Sequence, residues 1–156
     1  MKVRWSIYVL VCCVLLCLTG CGSNKEAQRS VLRVGVVLYT QDDPFINALT
    51  DCLKEDLEDY ETDSLKIIMT VRDGKNDQKL QDEVVEEILD AGCDILVVDL
   101  VDRTEPSNII KMAKNENIPV IFFNREPVRE DLMQWDKLYY CLLYTSPSPR
   151  DMRRSR

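Results

Sequence analysis

Residues 31–46 read VLRVGVVLYTQDDPFI, and they decide the fold. Val31 to Leu38 is a β-branched apolar run, the signature of a strand buried on both faces. From Pro44 the pattern changes period. Phe45, Ile46, Leu49, Leu53, Leu57 and Tyr60 recur at helical spacing, which predicts a helix over 44–60. The alternation then repeats down the chain. LKIIMTV (65–71) reads as a second strand. Residues 78–91 put Leu80, Val84, Val85, Ile88 and Leu89 on one helical face, with Gly92 as the stop. DILVV (94–98) reads as a third strand, 105–116 as a helix through Ile109, Ile110, Met112 and Ala113, and IPVIFF (118–123) as a fourth strand. A fifth starts at Leu138–Tyr140. Short apolar strands alternating with amphipathic helices predict an α/β fold, a doubly wound parallel sheet with right-handed crossovers.

In such sheets a ligand sits outside the carboxyl ends of the strands. That rule selects the loops 39–45, 72–77, 99–104 and 124–127. The first carries Asp42, Asp43 and Phe45 at a helix mouth. A carboxylate accepts from ligand hydroxyls and a ring covers the apolar face of a pyranose, so sugar recognition is one reading. A helix cap for either aspartate and ordinary core packing for Phe45 are the other. The third loop carries Asp99 and Asp102, as ligand groups or as a turn. The fourth carries Asn124 and Arg125, able to bond hydroxyls or simply to form the loop. Asp73, Asn76 and Asp77 around Gly74 read as a turn and helix cap, because the twelve-residue calcium pattern with its final Glu is not met. The sequence has no nucleophile-plus-base pair, no Gly-rich phosphate loop and no histidine, and it gives no case for an enzyme.

The first 20 residues hold Lys2 and Arg4, then an apolar stretch from 5 to 18, too short for the about 20 residues a bilayer span needs. They end Leu18-Thr19-Gly20-Cys21. This layout is a secretory signal, and its ending resembles a bacterial lipoprotein signal, in which the cut precedes the cysteine and the thiol carries the lipid. The resemblance implies lipidation at Cys21 and an exported protein held on the outer face of the cell membrane or in the periplasm. Residues 21–30 read as a polar tether. The tail 142–156, LLYTSPSPRDMRRSR, has no periodicity and resembles translated adapter sequence, which implies a non-native end on a longer gene product; a genuine Pro/Ser/Arg linker is the other reading. Signal and tail carry +2 and +3, so residues 21–141 hold −12 where the whole chain has −7. So acidic a body repels nucleic acid. Of the seven cysteines, only Cys52, Cys93 and Cys141 lie beyond the lipid position. No CxxC pair is among them, and Cys52 and Cys93 read as packed small hydrophobes.

VGVVLYTQDDPFI, RDGKNDQ, DILVVDLVD, IPVIFFNREP and WDKLYYC, in this order over about residues 32–140, resemble the periplasmic sugar-binding proteins of bacterial ABC importers, the galactose/glucose-binding type. The resemblance implies residues 31–127 as the first of two α/β lobes, with 128–141 starting the crossover to the second. It implies a monosaccharide in the cleft, ABC permease subunits or a chemosensory or kinase receptor as partners, and a monomer. It makes Asp43 the carboxylate that bonds sugar hydroxyls and Phe45 the ring that stacks on the pyranose. Asn124 and Arg125 fall where related pentose binders place an Asp-Arg pair. Asp99 departs from the pattern, since the family usually has asparagine there and an ionised Asp accepts only. The family's calcium loop belongs to the second lobe, so no cofactor is expected in this chain, and half a cleft is expected to bind sugar weakly or not at all.

Two other readings compete. DILVVDL also resembles the phosphoacceptor strand of a receiver-type phosphotransfer domain, with Asp99 as acceptor and Asp42–Asp43 holding magnesium. The effector domain of a sugar-responsive repressor shares the fold but needs an N-terminal helix-turn-helix, where this chain has a signal.

Overall fold

The computed structural model describes residues 29–141. The expected signal, Cys21, nearly all of the tether and the tail from 142 lie outside the described residues. The chain runs β1 (Ser30–Leu38), α1 (Pro44–Asp59), β2 (Leu65–Asp73), α2 (Gln78–Asp90), β3 (Ile95–Val98), α3 (Ser107–Asn115), β4 (Val120–Phe123), α4 (Arg129–Leu132) and β5 (Leu138–Cys141). The five strands form one parallel sheet in the order β2-β1-β3-β4-β5. The winding direction reverses between β1 and β3. That is the topological switch point, where such sheets open a crevice beyond the strand ends.

Strand alternation divides the core between the two faces. Val34, Val36, Leu38, Val97 and Phe123 face α1, where Ile46 is buried with them. Val37, Leu96, Val98, Val120 and Phe122 face the other way and pack under Val85, Ile88, Ile109 and Ala113. Full burial of each such side chain contributes about 1.5–3 kcal/mol. Among the described helices, only α1 covers the first face. Beside it Leu49, Leu53, Val97, Ile121, Phe123 and Cys141 line an apolar groove.

Local chemistry sets the boundaries. Asp43 caps α1, and Pro44 occupies the first helical turn, where a missing N–H costs nothing. Asp77 caps α2 by accepting from the Leu80 N–H at 3.0 Å, as the turn-and-cap reading expects. Gly92 ends that helix at φ 81°, a conformation glycine adopts without penalty. Gly35 has a different reason. A Cβ there would collide with Ile88 Cγ2, so its hydrogen is what lets α2 lie close on β1.

The structure departs from the sequence reading in three places. Residues 128–141 stay with the sheet: α4 packs Leu132 onto the α2–α3 side, and β5 pairs in parallel with β4 from Val120↔Leu138 to Phe123↔Cys141. The described sheet therefore runs on past 127 to Cys141. Cys52 is exposed on α1 and is not a packed hydrophobe, because the apolar face of α1 is carried by Ile46, Leu49, Leu53 and Leu57. Cys93 is half-buried, with a thiol pKa pushed up by desolvation. Finally, α3 starts at Ser107, two residues after the expected start, since Pro106 favours a helix beginning just behind it.

Candidate functional site

The loops after β1, β3 and β4 meet at the switch point and interlock. Tyr39, just past β1, donates its hydroxyl to Asp43 Oδ2. The other oxygen, Oδ1, accepts from the Phe45 N–H at 2.8 Å. These bonds, the Tyr39 hydroxyl first, hold the Asp43 carboxyl below its ordinary range and raise the Tyr39 phenol. Asp43 is thus both the helix cap and a member of a polar cluster. Phe45, on the first turn of α1, is 60% exposed. That exposure removes the core-packing reading and leaves a large aromatic ring at the mouth of the site.

After β3 the chain is pinned by α2. Gln81, buried without exposed surface, donates from Nε2 to the Asp99 carbonyl at 2.8 Å and accepts from the Val101 N–H at 2.9 Å. Gln78 accepts from the Asp102 N–H at 3.0 Å. Asp102 turns back on its own loop, accepting from the Thr104 N–H and hydroxyl, so it is a turn residue. Asp99 is fully buried. Its Oδ2 accepts from Asn124 Nδ2 at 2.9 Å, and its Oδ1 is buried without a hydrogen-bond partner among the described residues. Burial pushes the carboxyl up to about 6, against the opposing pull of Asn124 and Arg125. Asp99 thus lies beneath the loop, with no exposed surface of its own.

After β4, Asn124 takes φ 58°, a left-handed turn that asparagine tolerates better than most residues. This turn sends Arg125 back across the site. Its Nη1 donates to the carbonyls of Leu100 and Val101 at 3.2 and 2.7 Å, and its guanidinium lies 3.8 Å from the centroid of the Tyr39 ring. The Tyr140 hydroxyl from β5 donates to the Asn124 carbonyl at 3.3 Å. One continuous cluster thus joins Asp43, Tyr39, Arg125, Asn124 and Asp99, with Phe45 standing beside Asp43. The cavity lined by Arg33, Gly35, Ile68, Arg72 and Cys93 lies toward the opposite ends of the strands and shares no residue with it.

Sequence reasoning missed Tyr39, Gln78, Gln81 and Tyr140 as members of this site. For Gln81 a signal existed: it falls three and four positions before Val84 and Val85, on the apolar stripe of α2, where a polar side chain needs a buried partner. Chemically, the cluster offers acceptors, guanidinium N–H donors and an exposed ring. It does not offer an accessible phosphoacceptor, because Asp99 has no exposed surface. That burial weighs against the receiver reading. Among the described residues no group of three or more Cys, Asp or Glu is placed to hold a metal ion.

Comparison with known proteins bears on the family and the fold. The chain is 33% identical over 119 residues to the D-galactose/methyl-galactoside binding periplasmic protein of Haemophilus influenzae, covering 76% of this chain and 35% of that one. It is 27% identical over 100 residues to the ribose import binding protein of Escherichia coli, covering 64% and 32%. It thus spans about a third of the length of the curated relatives it matches. A solute-binding protein of Bacillus halodurans, solved with myo-inositol, superposes with a TM-score of 0.53 at 26% identity, covering 70% of this chain and 35% of that one. One from Clostridium phytofermentans, solved with β-D-glucose, shares the fold with a TM-score of 0.53 at 23% identity, covering 69% and 31%. The profile described as the periplasmic binding protein domain matches residues 34–141, which is nearly the whole described sheet, and the chain belongs to that family.

Proposed function

We propose that this chain is the sugar-facing first lobe of an extracytoplasmic solute-binding lipoprotein, which captures a hexose of the galactose/glucose type and delivers it to an ABC permease. The observation that carries the reading is the exposed Phe45 ring beside the hydrogen-bonded Asp43 at the switch-point crevice. A ring of this kind stacks on the apolar face of a pyranose, while Asp43, Asn124 and Arg125 supply acceptors and donors for hydroxyls. Asp99 acts beneath them. The match to a galactoside binder at 33% identity supports the hexose. The ribose import and myo-inositol-bound relatives make the cyclic polyol the common denominator.

No bond is made or broken in this scheme. A second lobe closes over the ligand by a hinge motion and buries it. Lipidation at Cys21 keeps the protein beside its permease on the outer face of the membrane. The test is calorimetric titration of the complete gene product with D-galactose and D-glucose. Micromolar binding of either, lost in Phe45→Ala, is the expected result, and failure to bind any monosaccharide overturns the proposal. For the anchor, labelling with a fatty-acid analogue should vanish in Cys21→Ser; an unlabelled wild type sinks that part alone.

A further inference from the structure

The floor of the site holds a polar group whose partner has two unlike ends. Asp99 is fully buried, its Oδ2 takes the Nδ2 hydrogen of Asn124, and its Oδ1 has no partner among the described residues. The Asn124 side chain belongs to an exposed residue. A primary amide can turn either its NH2 or its oxygen toward a neighbour, and the neighbour's chemistry decides. An asparagine at position 99 could answer either end. An ionised aspartate can only accept, so it selects the NH2.

We infer that Asp99 is a positioning residue: it fixes the Asn124 amide with its NH2 turned to the floor and its carbonyl oxygen left for the cleft. The site then presents an acceptor at this point and favours a ligand hydroxyl that donates there. The ligand half of this inference rests on the sugar-binding reading; the orientation of the amide does not.

The same geometry makes the orientation reversible. A proton taken from solvent by Asp99 lifts that restriction: the acid's O–H can donate to Asn124 Oδ1, with the NH2 then turned outward, while its other oxygen can still accept. The groups that act electrostatically on Asp99, or feel its charge, come from every neighbouring loop. Arg125 favours the anion, Asp43 disfavours it, and the phenols of Tyr39 and Tyr140 are raised by it. Burial dominates, and the switch falls near pH 6.

The experiment follows the side-chain amide resonances of Asn124 in the 15N-labelled complete gene product from about pH 4.5 to about pH 8, across the range of a raised carboxyl. The expected result is a shift of both amide protons with one midpoint near 6, absent in Asp99→Asn. A role for Asp99 in packing alone leaves those resonances without that inflection, and a flat wild-type titration overturns the inference with no variant needed. D-Galactose, D-glucose and D-ribose are then added at both ends of the range. An amide that titrates but ignores all three sugars leaves the positioning role standing and removes the sugar reading. A flat amide that nevertheless moves with sugar does the reverse.

Discussion

Asparagine in place of Asp99 should stabilise the protein at neutral pH relative to its effect in acid. Burial pushes the Asp99 carboxyl up to about 6, from 3.8 in an open chain. A raised pKa means that the fold prefers the protonated acid. Its favourable contribution is complete below about pH 4 and is lost as pH rises through 6. Above that, the buried anion costs about 3 kcal/mol, from roughly two pK units at 1.36 kcal/mol each. The substituted amide carries no such charge. It keeps an oxygen that can accept from Asn124 and adds an NH2 that must find a partner, a cost of about 1–3 kcal/mol that does not depend on pH. The signature is therefore the change in the difference between variant and wild type. It should move by about 3 kcal/mol in favour of Asp99→Asn between about pH 3 and about pH 7.5. Urea unfolding at a series of pH values, followed by circular dichroism, measures it. An equal difference at both ends would refute the assignment of a desolvated carboxylate at this position.

Gln81→Leu should destabilise by about 2–4 kcal/mol, because it orphans the Asp99 carbonyl and the Val101 N–H; denaturant unfolding measures the loss, and faster amide exchange at Val101 locates it. Gly35→Ala should cost about 1–3 kcal/mol through its clash with Ile88 Cγ2, and a Gly35→Ala, Ile88→Ala pair should cost less than the sum of the two singles. Phe45→Ala should change stability by no more than about 0.5 kcal/mol, since the ring is mostly exposed. Calorimetry should show monosaccharide affinity of the complete product falling tenfold or more in that variant; the opposite pattern would assign Phe45 to packing. Arg125→Lys keeps the charge but loses the planar fork that reaches two carbonyls and stacks on Tyr39. Affinity should fall at least tenfold in that variant, and retention of affinity there, with loss in Arg125→Met, would mean that charge alone matters.

The sheet is legible because it is written in local periodicity. VLRVGVVL, LKIIMTV, DILVV and IPVIFF each form a strand, and the helix between each pair follows from an apolar stripe with a cap or a stop. The helix α4 is not legible, since four residues, Arg129–Leu132, are too few to show a period. Residues 128–141 therefore look like a crossover, although β5 carries its own apolar signal at Leu138. The site divides in the same way. Asp43 and Phe45 are readable from the loop that holds them, but whether Phe45 faces the core or the cleft is not. Helical spacing gives the same phase to both, and only the position of the sheet separates them. The burial of Asp99 is out of reach for a different reason. It is produced by Tyr39, Gln81, Asn124 and Arg125, which arrive from 18 to 60 positions away, and no local pattern encodes that meeting.

Those distant partners explain why a loop-built site can be stiff. Gln78 and Gln81 belong to the rigid first turns of α2 and hold the backbone of 99–102. The carbonyls of that segment hold Arg125, Arg125 packs on Tyr39, and Tyr39 bonds Asp43. Asp43 in turn fixes the start of α1, where Phe45 stands. Each link uses a polar group that would otherwise be an unpaired loop atom, so the network supplies order and satisfies hydrogen bonds at once. A site held in this way meets its ligand with little left to organise, which raises affinity by lowering the ordering cost of binding. It also separates two roles that the sequence runs together. The exposed Phe45 can change with the ligand at small cost to the fold, whereas Asn124 is tied to its left-handed turn and to Asp99. The buried members, Gln81 and Asp99, set how the exposed ones are presented. Asp99 belongs to the second group, and its desolvation penalty at neutral pH is the cost of fixing which end of the Asn124 amide the ligand meets.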